Sequence, residues 1–169
     1  GRGDDALAGG RGADLMIGGR GNAALSGGAR ADKMHGNLGA DDLSGGGGAD
    51  ILAAGRGGDV LSGGRGRDLL LGGGGDDELN GNAGTDVLRG GGGNDVFVYA
   101  AGGGKDRVAD FGRGDDVLDV TDFGLEDVDA FLALGRQTKS AAVFDFGDGD
   151  QLKLSGVQIE DLSASDILV

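Results

Sequence analysis

The sequence contains no proline and no cysteine, and aromatic residues make up only 4% of its 169 residues. Without cysteine, neither disulfides nor thiolate metal sites can form. So few aromatic side chains leave too little material for an ordinary globular core. No apolar run approaches the ~18 residues that a transmembrane helix requires, and the N-terminus shows no signal peptide.

Glycine and acidic residues dominate what is present. The chain has 42 glycines and a formal net charge of -14. Because the glycines follow no G-X-Y period, a collagen helix is excluded. An acidic chain with few aromatic residues is normally disordered, unless bound cations neutralise its charge.

A nine-residue pattern repeats about eleven times between Gly1 and Val98. Written as positions 1 to 9 it is G-G-x-G-x-D-x-U-x, with U a large apolar residue, and 45–53 and 63–71 are clear copies. Position 6 is aspartate with one exception, Ala23: Asp5, Asp14, Asp32, Asp41, Asp50, Asp59, Asp68, Asp77, Asp86 and Asp95. Position 8 has no exception: Leu7, Met16, Leu25, Met34, Leu43, Leu52, Leu61, Leu70, Leu79, Leu88 and Phe97. A flexible glycine-rich linker would not keep this register.

The pattern predicts a coil of two strands and two turns every 18 residues. Positions 7 to 9 form a short strand whose U side chain points opposite to its neighbours, and positions 1 to 6 form a glycine-rich turn. Successive coils would stack as parallel strands ~4.8 Å apart. The interior ladder of single U side chains is too thin to offset the cost of ordering the backbone.

We predict that bound Ca²⁺ supplies the stabilisation that the thin ladder lacks. This ion takes six to eight oxygen ligands at about 2.3–2.6 Å, from carboxylates and backbone carbonyls. Turns of repeats n and n+2 share one edge of the stack, and each offers an aspartate and several carbonyls. Nothing in the repeats suits Zn²⁺ or copper, which favour histidine and cysteine.

The repeats resemble the calcium-binding β-roll of the RTX (repeats-in-toxin, haemolysin-type calcium-binding) family. The resemblance implies an all-β fold, a right-handed parallel β-roll with a C-terminal capping segment. It also implies that each ion takes the carbonyls of positions 2 and 4 and the Asp of repeat n, with the carbonyls of positions 1 and 3 and the Asp of repeat n+2. One implied site comprises Gly46, Gly48, Asp50, Gly63, Arg65 and Asp68.

Applied along the chain, this rule predicts about seven or more Ca²⁺ ions. Seven aspartate pairs are intact, and Ala23 removes a ligand from two others. The intact pairs are 14/32, 32/50, 41/59, 50/68, 59/77, 68/86 and 77/95. The implied metal-ligand residues are Gly10, Gly12, Asp14, Gly27, Ala29, Asp32, Asn37, Gly39, Asp41, Gly45, Gly46, Gly47, Gly48, Asp50, Ala54, Gly55, Arg56, Gly57, Asp59, Gly63, Gly64, Arg65, Gly66, Asp68, Gly72, Gly73, Gly74, Gly75, Asp77, Gly81, Ala83, Asp86, Gly90, Gly92, Asp95, Asp106 and Asp116.

Three repeats depart from the pattern in their turns. Arg30 replaces glycine at position 4, where a positive φ would be costly. Asn37 and Asn82 replace glycine at position 2, and asparagine tolerates the left-handed region better than most residues. We expect the early repeats, around Ala23 and Arg30, to be the loosest.

After Val98 the period breaks, which divides the chain into a roll (1–98), a degenerate transition (99–120) and a C-terminal cap (121–169). Residues 112–118 are a weak echo of the repeat. Asp106, Asp110 and Asp116 either close the last ion sites or are solvated turn carboxylates, and the sequence leaves both open. The cap is predicted to contain a helix over 125–134 and a hairpin of strands 142–146 and 151–154.

The tail 157–169 resembles the C-terminal region of proteins exported by type I secretion. That resemblance implies a secreted, extracellular protein that uses the type I secretion machinery. The chain begins within a repeat and without methionine, so we expect it to be a piece of a longer protein, with a passenger domain upstream.

Catalysis has little support in the sequence. His35 is the only histidine, and we interpret it as a surface residue. Motifs for zinc proteases, serine hydrolases and P-loops are absent. The glycine-rich strings lack a βαβ context, so we expect neither enzymatic activity nor nucleotide or nucleic-acid binding.

The outward positions 7 and 9 differ between the two faces of the predicted roll. One face carries Ala6, Ala8, Ala24, Ser26, Asp42, Ser44, Val60, Ser62, Glu78, Asn80, Val96 and Val98. The other carries Leu15, Ile17, Lys33, His35, Ile51, Ala53, Leu69, Leu71, Val87 and Arg89. An apolar stripe of this kind is unusual on a soluble monomer. We expect 122–169, an upstream domain or a second copy to cover it; strand propensity alone is the alternative.

Two functions compete. The first is a Ca²⁺-binding module that folds on calcium binding after export and supports secretion and stability of an upstream passenger. The alternative is a polyanion-binding module of a carbohydrate-active enzyme, suggested by the arginines at position 3: Arg2, Arg11, Arg20, Arg56 and Arg65. A fragment with its own enzymatic activity is the least supported hypothesis.

Overall fold

The computed structural model of the chain describes residues 1–112 and 114–169. Seventeen strands and one α-helix are assigned there, with two short 3-10 helices at Thr121–Phe123 and Ile159–Asp161. The strands are β1 Ala6–Arg11, β2 Leu15–Arg20, β3 Ala24–Ala29, β4 Lys33–Leu38, β5 Asp42–Gly48, β6 Ile51–Arg56, β7 Val60–Gly66, β8 Leu69–Gly74, β9 Glu78–Gly84, β10 Val87–Gly92, β11 Val96–Val98, β12 Lys105–Val108, β13 Val117–Asp119, β14 Gly135–Gln137, β15 Ala141–Gly147, β16 Asp150–Ser155 and β17 Ile167–Leu168. The helix α1 spans Val128–Ala133. No helix in these two ranges is long and apolar enough to cross a membrane.

The strands form two sheets that face each other across the predicted coil. One has the order β1-β3-β5-β7-β9-β11-β13-β17, and the other β14-β15-β16-β12-β10-β8-β6-β4-β2. Each repeat strand pairs in parallel with the strand two repeats further on, so that Leu25 lies opposite Leu43, and Leu43 opposite Leu61. The offset is the predicted 18 residues, and the all-β, parallel roll is confirmed.

The position-8 side chains form the interior ladder. Leu43, Leu52 and Leu70 are fully buried, and Phe97 ends the regular series at 1% exposure. Leu7 is 38% exposed because it lies in the first strand of its sheet and has a neighbouring rung on one side only. The ladder is therefore continuous but one side chain wide, as the sequence predicts.

The turns owe their shape to two positions in the left-handed region. Position 2 and position 4 have positive φ in almost every repeat, for example Gly46 at 95° and Gly48 at 149°. Arg30, Asn37 and Asn82 also adopt positive φ, at 76°, 81° and 61°. Arg30 therefore carries the predicted backbone strain, whereas Asn37 and Asn82 occupy a region that asparagine tolerates better than most residues.

Gly66→Ala should destabilise the calcium-loaded roll by more than about 2 kcal/mol, because its methyl group would collide with the backbone of Gly48 at a φ of 145°. Gly92→Ala is the matched control, since nothing lies within 4 Å of the added methyl group. Thermal unfolding in Ca²⁺ measures both, and equal midpoints would contradict the assigned turn geometry.

The C-terminal segment continues the stack. Strand β16 pairs in parallel with β12, and β17 with β13. Strands β15 and β16 form the predicted antiparallel hairpin. The helix is shorter than predicted and begins at Val128, because the Asp127 side chain caps it by accepting the Ala130 N–H at 2.8 Å. The weak echo at 112–118 includes Arg113, which lies outside the described residues; its remaining part leads into β13.

Aromatic side chains lie only at this end of the molecule, from Phe97 onward. The rings of Phe131 and Phe144 stack with centroids 4.2 Å apart, and those of Phe123 and Phe146 lie 4.1 Å apart. Phe131 and Phe144 are fully buried and belong to the same core as the leucine ladder. The cap therefore gives the roll a conventional hydrophobic end.

The prediction that 122–169 covers the apolar stripe is wrong. Leu15 and Ile17 remain 66% and 54% exposed. The cap extends both sheets edge to edge and directs its phenylalanines into the core, so it lies beyond the last coil rather than over a face. The aromatic side chains of the cap do have a core, which is shared with the ladder.

Candidate metal centres

The position-6 aspartates end each turn with their carboxylates directed inward. Asp50, Asp59 and Asp68 are only 1–2% exposed. In each, Oδ1 accepts the backbone N–H of the residue 18 positions earlier: Asp32 N–H donates to Asp50 at 2.7 Å, and Asp50 N–H to Asp68 at 2.8 Å. One oxygen of each carboxylate thus joins two successive turns on the same edge.

The second oxygen of these carboxylates has no partner. Eight buried Oδ2 atoms have neither a hydrogen bond nor an ion pair within the described residues: those of Asp14, Asp32, Asp41, Asp50, Asp59, Asp68, Asp77 and Asp86. A buried charged oxygen without a partner is costly. Since the same atom is left in repeat after repeat, the fold presents a regular row of oxygens suited to a cation.

The space in front of each Oδ2 is kept open by the glycine at position 1. A methyl group built on Gly45 would lie 2.6 Å from Asp50 Oδ2 and 2.5 Å from the Gly63 carbonyl oxygen. At Gly63 the corresponding distances to Asp68 Oδ2 and the Gly81 carbonyl are both 2.7 Å. A side chain at either position would therefore collide with both oxygens, and glycine leaves this recess between the carboxylate and the carbonyl of the next turn unobstructed.

The predicted carbonyl ligands converge on the space between two turns. The carbonyls of positions 2 and 4 point forward, since a methyl group built on Gly64 or Gly66 in the following turn would collide with the carbonyl oxygen of Gly46 or Gly48. The carbonyls of positions 1 and 3 point back, as when Gly74 O accepts the Gly57 N–H at 3.0 Å. The structure therefore brings together the residue types that the resemblance implies for one ion.

The donor set selects the type of metal. The described residues contain no cluster of three or more histidine, cysteine or acidic side chains that could hold a metal ion. Each centre would instead combine two carboxylates with several backbone carbonyls. Hard oxygen ligands in this number suit Ca²⁺ and do not suit Zn²⁺ or copper.

Two repeats lack part of the arrangement. Ala23 is buried at position 6 and offers only its N–H, which donates to Asp41 Oδ1 at 2.7 Å. Ala54 stands at position 1 and is fully buried. Its methyl group lies where other repeats keep the recess open in front of the aspartate, here Asp59. The sequence rule counted the pairs containing Asp59 as intact and missed this difference.

The degenerate segment supplies equivalent carboxylates at the end of the roll. Asp86 N–H donates to Asp106 Oδ1 at 2.8 Å, and Asp95 N–H to Asp116 Oδ1 at 3.0 Å. Asp110 instead accepts the Gly90 N–H at 3.2 Å. The first two contacts repeat those of the regular turns despite offsets of 20 and 21 residues. Asp116 differs from the regular aspartates, because its Oδ2 also accepts a backbone N–H, that of Gly112 at 2.8 Å.

Asp150 is a functional carboxylate that the sequence reasoning missed. Its two oxygens accept the N–H groups of Gly102 and Gly104, at 2.7 and 2.9 Å. Both oxygens of Asp150 therefore have hydrogen-bond partners, whereas the repeat aspartates leave Oδ2 unpartnered. Asp150 thus lies at the end of the row of buried carboxylates and does not need a cation as a partner. The turn Gly147–Asp150 gave only a hairpin signal, with nothing to indicate this contact.

Burial raises the pKa of several of these carboxylates above the ordinary value of 3.8. For Asp77 and Asp86 the pKa rises to about 7, and for Asp106 to about 6. Desolvation is the main cause; a backbone hydrogen bond opposes it, and neighbouring carboxylates add to it. The pKa values of Asp50 and Asp68 rise for the same reasons.

The raised pKa values predict opposite pH dependences with and without calcium. These carboxyl groups bind protons more tightly in the folded roll than in the unfolded chain, so their protonation stabilises the metal-free roll. This stabilisation is complete below pH 3.8 and is lost as the pH rises through the folded-state pKa values of about 6–7. In EDTA, circular dichroism should therefore show more β-structure at pH 5.5 than at pH 8. Calcium affinity should fall when the pH is lowered from 8 to 5.5, because the ligands must be deprotonated to bind the ion.

The double variant Asp77→Asn, Asp86→Asn is the control, since neutral amides cannot titrate. Its β-structure in EDTA should depend less on pH than that of the parent chain. An identical pH profile for both proteins would contradict the assignment of the raised pKa values to these carboxylates.

Comparison with known proteins agrees with this geometry. The sequence model of the RTX calcium-binding nonapeptide repeat matches residues 1–23, 26–61, 53–88, 62–97 and 71–108. Among solved structures, extracellular lipase LipA from Serratia marcescens is similar with a TM-score of 0.41 and 16% identity, over 89% of this chain and 40% of that one. The chain thus spans less than half the length of that lipase. A comparison with curated proteins finds no match.

The repeat matches cover more than half of the chain, so it belongs to the RTX calcium-binding nonapeptide repeat family. Its roll is a Ca²⁺-binding β-roll module, and the repeats have a structural, calcium-binding role.

Proposed function

We propose that this chain is a module whose folding is driven by Ca²⁺ bound between successive turns. The row of eight unpartnered Oδ2 atoms carries the proposal. Seven of them would receive a cation in the recess formed by the position-1 glycine and the carbonyl of the next turn; before the eighth, Asp59, position 1 is Ala54. The ions supply the positive charge and ligand bonds that the thin leucine ladder lacks; the aspartates and carbonyls hold and orient them.

The charge of the chain supports several ions rather than one. Seven intact aspartate pairs would bind seven divalent ions, whose fourteen positive charges equal the formal net charge of -14. Neutralisation removes the repulsion between carboxylates stacked along both edges. Asp106 offers a further candidate ligand at the C-terminal end.

Calcium-dependent folding suits a protein that folds after export. Extracellular Ca²⁺ modules bind at about 10⁻⁴–10⁻³ M, a range in which the module would stay unfolded until it met external calcium. We propose that the C-terminal segment serves type I secretion and that the roll stabilises an upstream passenger domain. Both roles rest on the resemblance of the tail and on the calcium geometry together.

Ion counting tests the proposal. Equilibrium dialysis followed by atomic emission should find about seven or more Ca²⁺ ions per chain, since the ligand sets recur along both edges. Zn²⁺ should not restore the fold, because the sites offer no histidine or cysteine. A stoichiometry of one or two ions would contradict the repeated-site account.

Polyanion binding is the second candidate function. Arg2, Arg20 and Arg56 lie along one edge of the roll and line a groove of about 650 Å³. No ion pair within the described residues involves them. Binding of an acidic oligosaccharide in saturating Ca²⁺, lost in Arg20→Gln and Arg56→Gln variants, would support this function; absence of binding would remove it.

A further inference from the structure

The two outer faces of the roll carry opposite charges. We call the outward side chains at positions 7 and 9 of β2, β4, β6, β8 and β10, with the outward side chains of β12 and β16, the basic face. The outward side chains at positions 7 and 9 of β1, β3, β5, β7, β9 and β11, with those of β13, form the acidic face. The position-3 arginines at the strand ends, Arg11, Arg20, Arg56 and Arg65, lie on the edges and belong to neither face. The basic face has no acidic residue; its charged side chains are Lys33, Arg89, Lys105, Arg107 and Lys153. The acidic face has no basic residue; its charged side chains are Asp42, Glu78 and Asp119. The chain as a whole has 29 acidic and 15 basic residues, so the positive charge of the basic face is a property of that face and not of the whole chain.

The basic face also contains a shallow apolar groove. Its volume is about 610 Å³, its floor is formed by Ile51, Leu69 and Leu71, and its rim by Arg67, Arg89 and Arg107. The acidic residues beside it, Asp50 and Asp68, are buried and face the metal centres. No ion pair in the described part of the chain engages the three rim arginines. Leu15 and Ile17 form a second exposed apolar patch at the other end of the face, separated from the groove by Lys33 and His35.

We propose that the basic face docks onto a lipid bilayer surface with anionic head groups. Outward side chains of one sheet lie close to a common plane, so the whole face can meet a planar partner at once. The aliphatic floor would enter the boundary between head groups and acyl chains. The rim arginines would bind the phosphates, for which the guanidinium fork is well suited.

The composition of the face distinguishes this partner from a polysaccharide. Ile51, Leu69, Leu71 and Val87 cannot hydrogen-bond the hydroxyl groups of a sugar chain, and the face offers no phenylalanine, tyrosine or tryptophan ring for a sugar to stack on. Anionic lipid matches both features, since it presents an apolar layer directly beneath negative charges.

Docking rests on the proposed calcium-driven fold in two ways. The face exists only when the coils are stacked, and bound Ca²⁺ removes the net negative charge that would repel an anionic surface. Vesicle binding should therefore require Ca²⁺.

The experiment uses the full chain in millimolar Ca²⁺ with vesicles of phosphatidylglycerol and phosphatidylcholine, and with phosphatidylcholine alone. Arg67→Gln, Arg89→Gln, Arg107→Gln is the test variant, and Arg11→Gln, Arg30→Gln, Arg65→Gln removes the same charge from exposed edge positions outside both arginine-lined grooves. Each basic residue near an anionic surface contributes about a fivefold change in affinity, so the test variant should bind about a hundredfold more weakly. The edge variant should change by less than about threefold.

Three results would overturn the docking proposal: equal loss in both triple variants, equal binding to neutral vesicles, or no binding by a chain that circular dichroism shows to be folded in Ca²⁺. Sedimentation without vesicles tests the other possible partner of the basic face, a second copy of the chain. If the basic face is buried against a second copy and vesicles do not compete, the partner is the chain itself and the lipid proposal fails. A chain that does not fold in Ca²⁺ would instead contradict the proposed function.

Discussion

In excess EDTA at pH 8, the repeats are expected to lose their β-structure, and millimolar Ca²⁺ is expected to restore it. The reason is the imbalance between a core one side chain wide and the carboxylates crowded along both edges. Circular dichroism measures the change directly. This should be the largest effect of any treatment, because it acts on every coil at once.

Mg²⁺ provides the control for charge screening. It demands near-octahedral geometry at about 2.0–2.1 Å and retains its waters, so equal concentrations should not restore the β-structure. An equally folded chain in EDTA and in Ca²⁺ would show that the ladder and the cap suffice without ions.

Asp68→Ala should be among the most damaging single substitutions at a metal centre. Asp68 belongs to two intact pairs, with Asp50 and Asp86, and its side chain is 2% exposed. Its loss should lower the Ca²⁺ stoichiometry by about two and destabilise the loaded roll by several kcal/mol, as removal of metal ligands does. Calcium titration and thermal unfolding measure both quantities.

Asp5→Ala and Asp42→Ala are the matched controls. Asp5 belongs only to a pair that Ala23 has already damaged, and Asp42 is exposed on the acidic face. Both changes remove the same charge as Asp68→Ala and should have much smaller effects. If Asp5→Ala and Asp68→Ala were equally harmful, the pairing of repeats n and n+2 would be wrong.

The roll could be predicted from sequence because its determinants are local and periodic. The steps from Asp50 to Asp59 and from Leu52 to Leu61 fix which residues turn and which point inward. The 18-residue register then follows from stacking alone. The positive φ of Arg30 was also predictable, since position 4 is otherwise glycine.

The placement of the cap could not be predicted because it depends on pairing between distant segments. Gln151 lies opposite Lys105 in the parallel pair of β16 and β12, and no repeat in the sequence predicts this alignment. The apolar composition of 122–169 suggested a cover for the stripe, whereas those side chains complete the end of the ladder. Asp150 was missed for the same reason, since its partners Gly102 and Gly104 lie nearly fifty residues earlier.

The central claim is that Ca²⁺ lies between the buried carboxylates and the carbonyls of successive turns. The most direct test is anomalous X-ray scattering from crystals of the full chain grown in Ca²⁺. Peaks are expected within about 2.3–2.6 Å of Asp50 Oδ2 and the Gly63 carbonyl oxygen, and at the equivalent points along both edges. Peaks confined to exposed carboxylates such as Asp42, with none at the position-1 recesses, would contradict it.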